Sequence, residues 1–147
     1  MSDKEVNLYY KMHGPKPNFY TYDTLGRKIF YAFANEKRIE LPLLILIHGA
    51  PGAWYGYIHY LEDSFLLTHF RIISVDRTGY NHSAIGGVEV IIEQQAKLLL
   101  PLLSKANGTK CIVAARSYGA PIAVRMATLK PDNLSALLLT SCAANIL

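Results

Sequence analysis

The sequence predicts an α/β fold, a mostly parallel sheet with helices on both of its faces. Three observations carry this. Short apolar runs at 41–47, 70–75, 112–115 and 134–140 alternate with longer stretches whose apolar residues recur at helical spacing. The runs lack the polar–apolar alternation of a half-exposed strand, so they read as strands buried on both faces. The first three run into glycine-containing turns, where a strand hands over to the next element.

In order, residues 1–18 are polar and contain Gly14, Pro15 and Pro17. They read as a lead-in with one edge strand over 6–11. Aromatic and β-branched residues at 18–22 and 28–34, around a turn at 23–27 with Gly26, predict a hairpin. A charged connection at 35–40 leads to the apolar strand 41–47 and then to His48-Gly-Ala-Pro-Gly-Ala53. Trp54, Ile58, Leu61 and Phe65 share one helical face, which predicts a helix over 54–67. A strand at 70–75 ends in Asp76-Arg-Thr-Gly-Tyr-Asn-His-Ser83. Residues 88–103 read as a helix that fades near Pro101. Residues 110–124 read as strand, turn and helix around Ser117, with Ile122, Met126 and Leu129 on one helical face. Pro121 falls in that helix's first turn, where a missing N–H costs nothing. The last apolar strand is 134–140. The chain has no internal repeat and no low-complexity tract.

At 147 residues, 51% hydrophobic and 18% charged, the chain has the composition of a globular domain. Its net charge of +4 comes from scattered basic residues, so no clustered stripe marks a nucleic-acid surface, and no nucleic-acid partner is expected. The longest apolar run is too short to span a bilayer, so no membrane partner is expected either. The N-terminus has no apolar stretch of the kind a signal peptide needs. Cys111 and Cys142 both fall in predicted core strands, without a C-x-x-C pair or a histidine cluster. No metal and no cofactor is expected, and buried reduced thiols fit a reducing, cytoplasmic location.

The chemistry concentrates at Ser117. A serine on a sharp strand-to-helix turn has its hydroxyl pushed out of the end of the sheet, and the following helix N-terminus favours developing negative charge. Small residues at 115 and 119 let the flanking elements approach. Taken alone, Ala115-Arg-Ser117-Tyr-Gly119 is equally compatible with a plain turn and a capping serine. Two further segments narrow the choice. His48-Gly-Ala-Pro-Gly52 follows one strand, and Asp76-Arg-Thr-Gly-Tyr-Asn-His-Ser83 follows the next. The glycines at 49, 52 and 56 do not fit a dinucleotide fingerprint.

Together the three segments resemble the capped α/β-hydrolases, the group of epoxide hydrolases, haloalkane dehalogenases and proline iminopeptidases. They match its H-G-x-P-G, D-x-x-G-[YF]-x-x-S and G-x-S-x-G motifs in order, with Ala115 in place of the first glycine of the last. The resemblance implies a nucleophile at Ser117, an oxyanion hole from the N–H groups of Ala50 and Tyr118, and a cis bond at Ala50–Pro51. It implies a serine hydrolase acting on a small-molecule carbonyl substrate, an ester, amide or carbon–carbon bond. Epoxide and haloalkane chemistry in this group uses aspartate at the nucleophile position. His48 and Asp76 read as structural hydrogen-bonding residues, His82 as a loop residue, and His13, His59 and His69 as surface residues. Arg116, beside the serine, faces either substrate or solvent.

The triad order of this superfamily is serine, acid, histidine. After Ser117 the sequence has one carboxylate, Asp132, and no histidine. Residues 1–147 therefore read as the N-terminal part of a single α/β-hydrolase domain, truncated before the cap and lacking the C-terminal strands. The alternative is a non-catalytic fragment or pseudoenzyme that keeps the fold. Strand 134–140, left as an edge, offers unpaired backbone groups, so the chain alone is expected to be poorly stable or to associate, with self-association through this strand as one route.

Overall fold

The computed structural model describes residues 1–130, 132 and 134–142. It forms one six-stranded sheet of order β1-β2-β4-β3-β5-β6. The strands are β1 (Asn18–Thr24), β2 (Arg27–Ala34), β3 (Leu43–Ile47), β4 (Arg71–Val75), β5 (Cys111–Arg116) and β6 (Ala136–Thr140). Strands β4, β3, β5 and β6 are mutually parallel. β2 runs against both β4 and β1, so it alone is reversed. The expected mostly parallel sheet and its leading hairpin are both present.

Alternate side chains of each strand supply two cores. Leu43, Ile45, Ile47, Ile73, Val113 and Ala115 face the layer made by α3 (Ile92–Leu99), the 3-10 segment Leu100–Ala106 and α4 (Gly119–Leu129). Leu44, Leu46, Ile72, Ala32 and Ala34 face α1 (Asp3–His13) and the turn that carries Trp54, Ile58 and Leu61. β3 is buried at every position because both its faces are covered, which is why it reads as a continuous apolar run.

Several boundaries differ from expectation. Residues 3–13 form a helix and not an edge strand. Ser2 accepts from the Glu5 N–H while the Glu5 side chain accepts from the Ser2 N–H, a capping box that satisfies two amides at the helix start. Acidic residues in its first turn and basic ones in its last suit the helix dipole, and Val6 and Tyr10, one turn apart, bury its inner face. The helix expected over 54–67 is broken into a 3-10 turn, Trp54–Tyr57, and the short α2, Ser64–His69. Asp63 caps α2, its carboxylate accepting from the Leu66 N–H, and Phe65 is exposed. The helix expected from 88 begins only at Ile92, and Pro101 opens the 3-10 segment that follows it.

Cys111 is buried in β5, and burial pushes its thiol up to about 11. Cys142, expected in a core strand, is exposed and lies beyond β6. β6 occupies the sheet edge as expected, but its residues are exposed or half-buried, with Leu138 59% exposed, and not buried on both faces as its apolar run suggests. Asp132 is exposed. Pro131, which the sequence places beside it, lies outside the described residues, as do residues 143–147. Among the described residues no helix is long and apolar enough to cross a membrane, and no group of His, Cys, Asp and Glu could hold a metal ion.

Candidate active site

The strand order reverses at β3. The chain passes from β3 outward to β4, then returns to β5 on the other side of β3. In open α/β sheets the crevice at such a reversal, beyond the carboxyl ends of the strands, is where ligands bind. Here those ends are Ile47, which runs into the 48–53 loop, and Arg116, which runs into Ser117.

Ser117 has φ +52°, a left-handed conformation that costs a β-carbon-bearing residue about 1 kcal/mol or more. Its N–H donates to Thr140 O at 2.9 Å, and its carbonyl accepts from the Ala120 N–H at 3.0 Å. The turn is thus held on one side by β6 and on the other by the first turn of α4. Two glycines let the ends of β3 and β5 interpenetrate. A β-carbon on Gly49 would lie 2.9 Å from Ser117 Cβ, and one on Gly119 would lie 2.7 Å from Ile47 O and 2.8 Å from His48 O. Ala115 is buried in the core, so a methyl group fits at the first small position.

Ser117 opens into a cavity of about 350 Å³ walled by His48, the 49–53 loop, Gly56, Tyr57 and Arg116. Ala50 belongs to that wall and precedes the cis bond to Pro51. Neither the Ala50 N–H nor the Tyr118 N–H donates to an acceptor among the described residues. Tyr118 stands as the N-cap of α4, whose free amides and dipole favour negative charge beside Ser117. A second cavity, of about 370 Å³ and lined by Phe19, Phe30 and Trp54, shares no wall residue with this one.

His48 is 3% exposed. Its Nε2 accepts from the Arg77 N–H at 3.0 Å, and its Nδ1 lies 2.7 Å from Gly49 O, to which it donates. Both ring nitrogens are committed, so the ring is neutral, and burial pushes it down to about 4. It is the structural residue the sequence suggested. Asp76, fully buried, accepts from the Trp54 N–H at 2.8 Å, the His82 N–H at 3.1 Å and Asn81 Nδ2 at 2.8 Å. Burial pushes its carboxyl up, against these three donors. It pins the loop after β4 to the start of the 54–57 turn, as its motif position suggested. His82 lies in the short 3-10 turn Asn81–Ser83, and His13, His59 and His69 are exposed.

Sequence reasoning missed Arg77, Gln95 and Tyr57. Arg77 is 1% exposed, and its guanidinium donates to Gln95 Oε1 at 2.8 Å and to Gly49 O at 2.9 Å. It lies over the rings of Tyr80 and Tyr118, at 4.6 and 5.0 Å from their centroids. Arg77 therefore links the loop of Ala50 to the residue that follows Ser117. No carboxylate pairs with it among the described residues. Gln95 is itself held by Glu89 O, to which its Nε2 donates at 2.6 Å. The Tyr57 hydroxyl donates to Ile47 O at 3.1 Å. The only signal for Arg77 was its place in a motif already assigned to a strand end. Gln95 showed only as a polar residue on an otherwise apolar helix face.

Residues 42–144 match the family described as alpha/beta hydrolase fold. Epoxide hydrolase B of Mycobacterium tuberculosis is 28% identical over 93 residues, 62% of this chain and 26% of that protein. A proline iminopeptidase of Lactobacillus helveticus is 28% identical over 121 residues, 80% of this chain and 41% of that one. The crystal structure of an epoxide hydrolase from Vigna radiata superposes with a TM-score of 0.70 at 19% identity, covering 84% of this chain and 39% of its own. That likeness shows the fold. The chain thus spans less than half the length of these relatives.

Proposed function

The chain belongs to the alpha/beta hydrolase fold family, and on that premise we propose that it carries the nucleophile and oxyanion hole of a serine hydrolase acting on carbonyl substrates. The observation that carries the reading is the left-handed Ser117 at the mouth of a cavity, next to two main-chain amides without acceptors.

The chemistry follows from the nucleophile. Ser117 Oγ adds to a carbonyl carbon, giving up its proton to a base. The carbonyl oxygen becomes an oxyanion, which the Ala50 and Tyr118 N–H groups would stabilise by about 3 kcal/mol each. Collapse expels the protonated leaving group and leaves an acyl ester on Ser117, which water hydrolyses. A serine attacking an epoxide or haloalkane carbon would instead form an ether, which water does not cleave under these conditions. This argues for ester, amide or carbon–carbon bond substrates, even though some relatives are named epoxide hydrolases.

No base for Ser117 stands among the described residues, since both nitrogens of His48 are taken. In this reading the base comes from a segment or chain outside them. The same observation favours a second reading, a chain that keeps the fold without turnover.

A fluorophosphonate probe tests the proposal by chemical rescue. Alone, residues 1–147 should label slowly. Added imidazole, a small base able to enter the cavity, should accelerate labelling about tenfold or more, with the adduct on Ser117 by mass spectrometry. Labelling that ignores imidazole, or an adduct that persists in Ser117→Ala, would count against Ser117.

A further inference from the structure

Arg116 is exposed and lines the Ser117 cavity. It has no hydrogen bond to a side chain and no ion pair among the described residues. Among the described residues it is also the only formally charged side chain in the cavity wall, since His48 is neutral and the remainder is the 49–53 loop, Gly56, Tyr57 and Ser117, so no acid there opposes it. Its charge is felt inside the cavity: burial pushes the Tyr57 phenol up from its usual range, and the Arg116 guanidinium is the largest influence pulling it back.

A second cation sits behind the same wall. Arg77 is buried, donates to Gly49 O and Gln95 Oε1, and pairs with no acid among the described residues. Asp76, the buried acid beside it in the chain, is committed to Trp54, Asn81 and His82. The cavity wall therefore carries positive charge at Arg116, which favours an anion within it.

We propose that Arg116 is a specificity-determining residue that selects substrates carrying a carboxylate close to the reacting carbonyl, such as hemi-esters of dicarboxylic acids. The inference rests on the Ser117 reading for the reacting carbonyl, and on Arg116 alone for the anion. The planar guanidinium donates two parallel N–H bonds to a carboxylate, a geometry that lysine cannot reproduce.

The test measures binding, which does not depend on turnover. Monomethyl succinate and dimethyl succinate are titrated into the 15N-labelled chain, following the amides of residues 49–53 and 116–118. The monoester should bind about tenfold more tightly than the diester, and 0.5 M salt should shrink the difference. Arg116→Gln should erase the preference, and Arg116→Lys should retain part of it. Equal affinities, or a preference that survives Arg116→Gln, would overturn the inference. Imidazole-dependent labelling of Ser117 is scored separately. A monoester preference without labelling sinks the nucleophile and leaves the anion site, and labelling without preference does the reverse.

Discussion

Replacing Gly119 with alanine should cost about 3 kcal/mol of stability, the upper part of the range for overpacking. For a chain of this length that is a fall in Tm of about 6–12 °C. The added β-carbon would lie 2.7 Å from Ile47 O and 2.8 Å from His48 O. Both are backbone atoms at the end of β3, which is buried on both faces and paired on both edges, so neither can rotate aside. The strain must move either β3 or the start of α4. Either movement separates the 48–53 loop from Ser117, so fluorophosphonate labelling should fall with stability. Thermal unfolding of Gly119→Ala that matches the parent within a degree would show that the two segments do not approach as described.

Acidification should remove about 3 kcal/mol through His48. The ring titrates near 6.5 in the unfolded chain and is pushed down to about 4 in the fold. Between these values the unfolded state binds the extra proton, so stability is complete above about pH 6.5 and falls as pH drops toward 4. Asp76 acts in the opposite sense, because burial pushes its carboxyl up and the folded state there holds its proton more firmly. The difference between parent and variant isolates His48. His48→Gln should be less stable at pH 7.5, having lost the ring that links Arg77 N to Gly49 O, and should show a shallower decline between pH 6.5 and 4. Urea unfolding at both pH values measures this, and parallel declines would contradict the assignment.

Much of the fold was legible in the sequence because β3 and β4 are buried on both faces and β5 is buried on one and half-buried on most of the other. Residues 43–47, 71–75 and 111–116 leave almost continuous apolar runs, and their turns carry Gly49, Gly52, Gly79 and Gly119. α1 looks like a strand in the sequence because Val6-Asn-Leu-Tyr-Tyr-Lys11 is rich in β-compatible residues; the Ser2–Glu5 capping box is the local signal of a helix start. The helix expected over 54–67 was misread because Trp54, Ile58 and Leu61 do bury together, though across a 3-10 turn and not on one α-helical face. Asp63, as the cap of a new helix, was the available correction.

At the site, Ser117, Ala50 and Tyr118 were legible as motif positions. Their arrangement was less so. The sequence suggested that Gly119 lets its own strand and helix approach each other, whereas its close contacts are with the carbonyls of β3. Those contacts exist only once β3 and β5 are neighbours, a relation of sheet order that no local spacing encodes. Arg77 was invisible for the same reason. Its role comes from Gly49, Gln95 and Tyr118, which are 28, 18 and 41 residues away along the chain.

The most direct measurement is a crystal structure of the chain after phosphonylation in imidazole. The account predicts phosphorus bonded to Ser117 Oγ, with one phosphoryl oxygen about 3 Å from the main-chain nitrogens of both Ala50 and Tyr118. An adduct on another residue, or a phosphoryl oxygen turned to solvent with both amides unengaged, would contradict it.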